Sequence, residues 1–105
     1  MAYTVIISAP AEADLTSIYD YIAARADADI ASRFVDRIET YVLGFARTPE
    51  RGTKRDDLRP GLRTIGFRRR ATILFEVDRV RLHVVIHGVY YAGRSFEAET
   101  DNFED

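Results

Sequence analysis

Apolar residues recur at spacings of three and four through the first half of the chain and alternate through the second half. Ala11, Leu15, Ile18, Tyr19 and Ile22 form one helical stripe, predicted to end near Ala26. Pro10 marks the first turn, where a missing N–H costs nothing, and Glu12 and Asp14 suit the positive end of the helix dipole. A second stripe runs through Ala31, Phe34, Val35, Ile38, Val42 and Phe45. Either Asp27 or Asp29 suits its N-cap, and Thr48-Pro49 stops it. The short connection makes the two helices antiparallel neighbours whose stripes face one layer.

Strand-like runs complete the pattern. Tyr3–Ser8 reads as the first, Leu62–Phe67 and Ala71–Val77 as the next two, and Val80 to about Tyr90 as the last. Glu50–Gly61, bracketed by prolines and glycines, reads as a surface loop, and Asp78-Arg79 as a hairpin turn. The predicted order is β-α-α-β-β-β. It gives an α+β fold, a small antiparallel-hairpin sheet with a helical hairpin packed on one face. Alternation in the last strand sends Val80, Leu82, Val84 and Ile86 toward the helices and Arg81, His83, Val85, His87 and Val89 to the open face. The same parity puts the Tyr91 ring outward beside His87 and the Tyr90 ring under the helices. In a regular strand Arg68 and Arg70 share one side and Arg69 takes the other.

A length of 105 residues makes one domain, residues 1–96, followed by a tail, residues 97–105. Apolar residues at 47% and charged residues at 30% are ordinary for a globular chain. The absence of cysteine excludes disulfides and thiolate metal sites and points to a cytoplasmic home. No signal peptide and no membrane segment are expected. Charge is more informative. Between Arg47 and Arg70 nine basic residues face three acids, a local net of +6, whereas the last nine residues carry five acids and no base. The middle segment suits an anionic partner or an acidic peptide, and the tail reads as a solubilising terminus.

Several pieces, in order, resemble the ParE/RelE toxin superfamily, the toxic halves of type II toxin–antitoxin pairs. They are Ser8-Ala9-Pro10 with Ala13-Asp14-Leu15, Ile18 and Tyr21-Ile22; Ala31-Ser32-Arg33-Phe34 with Ile38; Pro49-Glu50-Arg51-Gly52; Leu62-Arg63; Gly66-Phe67-Arg68-Arg69-Arg70; and Tyr91-Ala92-Gly93-Arg94-Ser95-Phe96-Glu97. The glycine-arginine pair after the last strand resembles the ParE branch, although Ser95 stands where the family usually has an acid. The resemblance implies an antitoxin that wraps and neutralises the chain in a hetero-oligomer. It also implies one of two targets: DNA gyrase, poisoned by binding, or messenger RNA, cut in the ribosome.

The ribonuclease alternative requires proton carriers and cations. His87 and Tyr91 with Arg63 and Arg94 are the candidate catalytic set, and His83 and Tyr90 add further proton carriers. The favoured reading of both histidines is a solvated or partner-covered strand face, since histidine sits easily on half-exposed surfaces. Four residues of strand hold them about 13 Å apart, too far to share a metal ion. Arg68, Arg69, Arg70, Arg81, His83, His87 and Arg94 are the candidate partner-binding residues. No phosphate loop or nucleophile elbow is present, and no cofactor or metal is expected. The modest acidity of the whole chain favours the gyrase-binding, non-enzymatic reading over the ribosomal one.

Overall fold

Ser8 is where the first strand becomes the first helix. Its N–H donates to the carbonyl of Ile86 at 3.1 Å, the last link holding the strand to the sheet. Its hydroxyl accepts from the Ala11 N–H at 3.2 Å, capping the helix that follows. The computed structural model describes residues 2–91. Within them β1 (Thr4–Ile7) leads to α1 (Ala9–Arg25) and α2 (Ala28–Leu43), then a 3-10 turn (Gly44–Ala46). There follow β2 (Thr53–Lys54), β3 (Leu62–Phe67), β4 (Ala71–Asp78) and β5 (His83–Tyr91). Of the two candidate caps for α2, Asp27 serves, its carboxylate accepting from the Ile30 N–H at 2.8 Å.

The α+β class and the helical hairpin are as predicted. The strands lie in the order β1-β5-β4-β3-β2. Two features go beyond the expectation: β1 pairs parallel to β5, and the expected loop contributes the short β2 antiparallel to β3. Gly52 makes that pairing possible, since at its φ of 72° a Cβ would stand 2.2 Å from the Thr64 carbonyl oxygen. Both helices cover one face, where Leu15, Ile18, Ile22, Ile38, Val42 and Phe45 pack against Ile73, Phe75, Val84, Ile86 and Val89. Each such fully buried side chain contributes about 1.5–3 kcal/mol.

The last strand departs from strict alternation. Ile86 pairs with Phe75 and Gly88 with Leu74, so His87 is an extra residue, a β-bulge. Before the bulge, Val84 and Ile86 are buried under the helices, as expected. After it the parity reverses: Val89, expected outside, is buried in the core. The Tyr91 ring meets Tyr21 and Phe34 on the helix side, with centroids 5.7 and 5.4 Å apart. Tyr90 takes the opposite face with Leu62, Leu74 and Leu58. The predicted assignment of the two tyrosines is therefore inverted.

The strand also begins later than predicted. Val80 and Leu82 belong to the turn rather than the core: Val80 is 93% exposed, and Leu82 is half-buried at a φ of 57°. Asp78 builds this turn, its Oδ1 accepting from the N–H groups of Val80 and Arg81, each at 3.0 Å. Those bonds, the Arg81 N–H foremost, hold the Asp78 carboxyl below its ordinary value of 3.8.

Two predictions test this geometry. A Cβ on Gly88 would stand 2.7 Å from the Tyr90 hydroxyl and 2.9 Å from its ring. Gly88→Ala is expected to cost about 1–3 kcal/mol in denaturant unfolding. In the Tyr90→Ala background the same change should cost markedly less, because the clash is gone. Because its folded pKa is depressed, the Asp78 contribution is complete above 3.8 and lost as pH falls through the lower folded value. The melting temperatures of wild type and Asp78→Ala are expected to differ at neutral pH and to converge in the acid range below 3.8.

Candidate functional site

Two surfaces collect the candidate residues. On the open face of the sheet, the Nε2 of His87 lies 3.0 Å from the Oε1 of Glu76, with both side chains only about a quarter exposed or less. The Arg59 guanidinium stands 3.6 Å from the same oxygen. Glu76 pairs across the ladder with Val85, two residues before His87, so His87 reaches it diagonally on the same face, and the bulge sets His87 between the Phe75–Ile86 and Leu74–Gly88 pairs. His83 shares this face at the start of β5, paired with Asp78 on one side and Thr4 on the other. Leu58, from the segment expected to be a bare surface loop, folds over Leu62, Leu74 and Tyr90 and closes part of the face. The loop is held for this by the Arg55–Asp57 pair at 2.9 Å and by the Gly61 N–H donating to Asp56 at 3.0 Å.

The ribonuclease candidates do not converge. Arg63 is only 8% exposed and pairs across the ladder with Phe75, which places it on the helix face, opposite His87. There it donates to the Arg51 carbonyl at 3.2 Å and stands 3.7 Å from the Glu50 carboxylate, which Arg79 also grips. Tyr91 lies on the helix face as well, among Tyr21 and Phe34. Arg94 lies outside the described residues, as does the acidic tail. Among the described residues no group of three or more His, Cys, Asp or Glu side chains is placed to hold a metal ion.

The second surface is the turn between β3 and β4. The three arginines are not strand residues on alternate sides; they form the tip of the hairpin and all are exposed. The Arg70 N–H closes the turn on the Phe67 carbonyl at 3.0 Å. Arg68 and Arg69 sit at φ of 52° and 59°, the left-handed region of a tight hairpin turn. Asparagine and glycine adopt that conformation cheaply, whereas a long side chain costs about 1 kcal/mol or more per residue. Beside the tip, a groove of about 350 Å³ is lined by Asp36, Arg37, Thr40, Tyr41, Phe67 and Arg68. Arg55, Arg59 and Arg63 each have a carboxylate partner. Among the described residues the side chains of Arg37, Arg68, Arg69 and Arg70 have none, Arg68 only standing over the Phe67 ring at 5.4 Å. Three exposed cations of the middle segment thus stand together at the hairpin tip.

Arg81 stands at the other end of the sheet, since β4 lies between it and the tip. Seven steps of strand separate the two ends by about 23 Å. The candidate partner-binding residues therefore form a line, from Arg81 and His83 through His87 to Arg68–Arg70, rather than a pocket.

The sequence and the architecture meet a known family. A model of the ParE toxin of type II toxin–antitoxin systems (parDE) matches residues 5–93. The chain belongs to the ParE toxin family. Among solved structures it is similar to the chromosomal ParDE toxin–antitoxin system from P. aeruginosa, at 23% identity and a TM-score of 0.73 over 87% of this chain and 97% of that one. It is also similar to the RelBE2 toxin–antitoxin complex from Mycobacterium tuberculosis, at 18% identity and a TM-score of 0.65 over 88% and 100% of the two chains. A mutant of the E. coli toxin RelE in the free state matches at 14% identity and a TM-score of 0.68 over 99% and 98%. At these identities the likeness is one of fold. No individually curated protein matches the sequence. The ParE family membership makes this chain the toxin of a type II toxin–antitoxin pair.

The arginine turn of this ParE-family chain yields a sharp expectation. Replacing Arg68 and Arg69 together by asparagine and glycine should relieve the left-handed strain and raise stability by about 1–2 kcal/mol in chemical denaturation. A loss of stability instead would mean that the guanidinium groups themselves hold the turn.

Proposed function

We propose that this toxin acts in the cytoplasm by binding DNA gyrase rather than by catalysis, and that a cognate antitoxin neutralises it through the line from Arg81 to the arginine turn. One observation carries the reading: the residues that chemistry on RNA would need are divided between two faces. His87 stands on the open face, held by Glu76, whereas Arg63 and Tyr91 lie on the helix face. General acid–base cleavage needs its proton carriers and its phosphate-binding cations within hydrogen-bond reach of one substrate atom group. A recognition surface has no such requirement. Charges strung over about 23 Å suit an extended acidic segment, which gains from many modest contacts and from steering by the field. The net charge of −2 for the whole chain also fits poorly with docking among ribosomal phosphates.

The decisive comparison adds the purified toxin to gyrase with supercoiled DNA and, separately, to translating ribosomes with messenger RNA. Loss of gyrase activity without mRNA cleavage is expected. Cleavage of mRNA that depends on ribosomes would replace this reading with that of a ribosome-dependent endoribonuclease. For the antitoxin, Arg68→Glu with Arg69→Glu is expected to weaken the complex at least tenfold, about 1.4 kcal/mol, in a titration at low salt. An unchanged affinity would remove the arginine turn from the interface.

A further inference from the structure

The arginine turn has a neighbour that the line of candidate charges does not include. On the helix face α2 sets the rings of Phe34 and Tyr41 5.8 and 5.2 Å from that of Phe67, the residue leading into the turn. Arg37 and Tyr41 are one helical turn apart on α2 and so project side by side. Between them and the turn lies the groove of about 350 Å³, with Arg37 on its helix wall and Arg68 on the other. Tyr41 and Phe67 form its floor, Thr40 lies at its rim, and Asp36 is the one acid in its lining.

We infer that this groove takes one large apolar side chain of an acidic extended peptide, whose carboxylates on either side of that anchor pair with Arg37 and with Arg68 and Arg69. The inference rests on the reading of the arginine turn as the antitoxin's contact, and it names what the antitoxin segment must carry there. Three features support this occupant. The first is size, since about 350 Å³ lies at the small end of ligand sites and suits one side chain rather than a packed helix. The second is the floor, where the Tyr41 ring is half-buried and offers an inserted side chain an aromatic contact. The third is charge. Arg37, Arg68 and Arg69 have no carboxylate partner among the described residues, and Arg68 already stands over the Phe67 ring at 5.4 Å, beside the place an anchor would enter.

A peptide fits this charge pattern better than nucleic acid does. Duplex DNA carries a charge for about every 1.7 Å of axis, and that unbroken row would meet Asp36 and the net charge of −2 of the chain. A peptide places acids only where the arginines stand. The anchor then supplies most of the affinity, while the carboxylates fix its register and speed the encounter.

The test titrates the full chain into a fluorescently labelled peptide that carries one phenylalanine flanked by glutamates on both sides, with anisotropy as the readout. Replacing that phenylalanine by alanine is expected to weaken binding about tenfold, because a partly buried ring is lost. Thr40→Glu should weaken it about as much by placing a carboxylate at the rim, whereas the uncharged Thr40→Gln should keep it. Thr40 is exposed, so neither change touches the core. With 15N-labelled chain, the peptide is expected to shift the amide signals of Arg37, Thr40, Tyr41, Phe67 and Arg69 and to leave those of Gly52, Arg81 and His83 in place. Equal binding of the alanine peptide would overturn the inference, as would shifts centred on Arg81 and His83. Displacement of the peptide by a short DNA duplex that moves the same amide signals would make the occupant a nucleic acid, and the inference would fail. Failure here is distinct from failure of the antitoxin reading. An antitoxin that binds Thr40→Glu as tightly as wild type, but loses affinity for Arg68→Glu with Arg69→Glu, refutes the groove and leaves the arginine turn as its contact.

Discussion

One extra residue in the last strand determines what each face of this molecule presents. β5 is paired on both sides, to β1 and to β4, and α1 crosses it, so a change of parity along it redirects side chains on both faces. The bulge at His87 requires support, because pairing with β1 ends at Ile86. Beyond that point, α1 takes over from the missing strand: Asp14 reaches from the helix and accepts the Val89 N–H at 3.0 Å. Val89 is 1% exposed, and a buried N–H left without an acceptor costs about 1–3 kcal/mol. The helix that caps itself on Ser8 thus also completes the strand. Strand, helix and bulge are one unit.

The parity change has a consequence on each side. On the helix face it adds Val89 and the Tyr91 ring to the core, extending an aromatic chain from Tyr21 through Phe34 and Phe67 to Tyr41 and Phe45. On the open face it leaves Gly88 and Tyr90, the glycine being the floor on which the tyrosine ring lies. Leu58 then has something to cover. A loop that composition marks as polar is thereby anchored, and the open face is divided into a closed half and a half bearing Glu76 and His87.

These outcomes explain what was legible from sequence and what was not. Both helices follow from periodic apolar stripes, since burial on one side of a helix leaves a mark over many residues. Asp27 is likewise visible as a cap because short polar side chains satisfy free N–H groups at helix starts. The bulge leaves no such mark: inserting one residue shifts the phase of an alternating pattern, and Val84 to Tyr91 contains too many apolar residues to reveal the shift. From that single omission followed the inverted tyrosines and the misplaced Val89. The arginine turn was missed for a different reason. Arg68-Arg69 lacks the asparagine and glycine by which a tight hairpin turn is usually read, so the three arginines, although they lie between the two predicted strands, were treated as strand-like residues on alternate sides and not as the turn itself. Arg63 was misread as a free cation because its acceptors, the Arg51 carbonyl and Glu50, come from a loop twelve or more residues away.

The failure at the arginine turn is itself informative. A tight hairpin needs only residues that tolerate positive φ, and the backbone between Phe67 and Ala71 would close more cheaply with asparagine and glycine. No described carboxylate pairs with the three guanidinium groups, so among the described residues they add no ion pair. The left-handed backbone at Arg68 and Arg69 is therefore a local cost that no described ion pair of theirs offsets. The contrast with Arg55, Arg59 and Arg63 sharpens the point, since each of those is paired within the domain and contributes to holding the loop and the β2 edge. The basic residues of the middle segment therefore include two contrasting groups, Arg55, Arg59 and Arg63, which organise the fold, and Arg68, Arg69 and Arg70, which the fold displays at the hairpin tip.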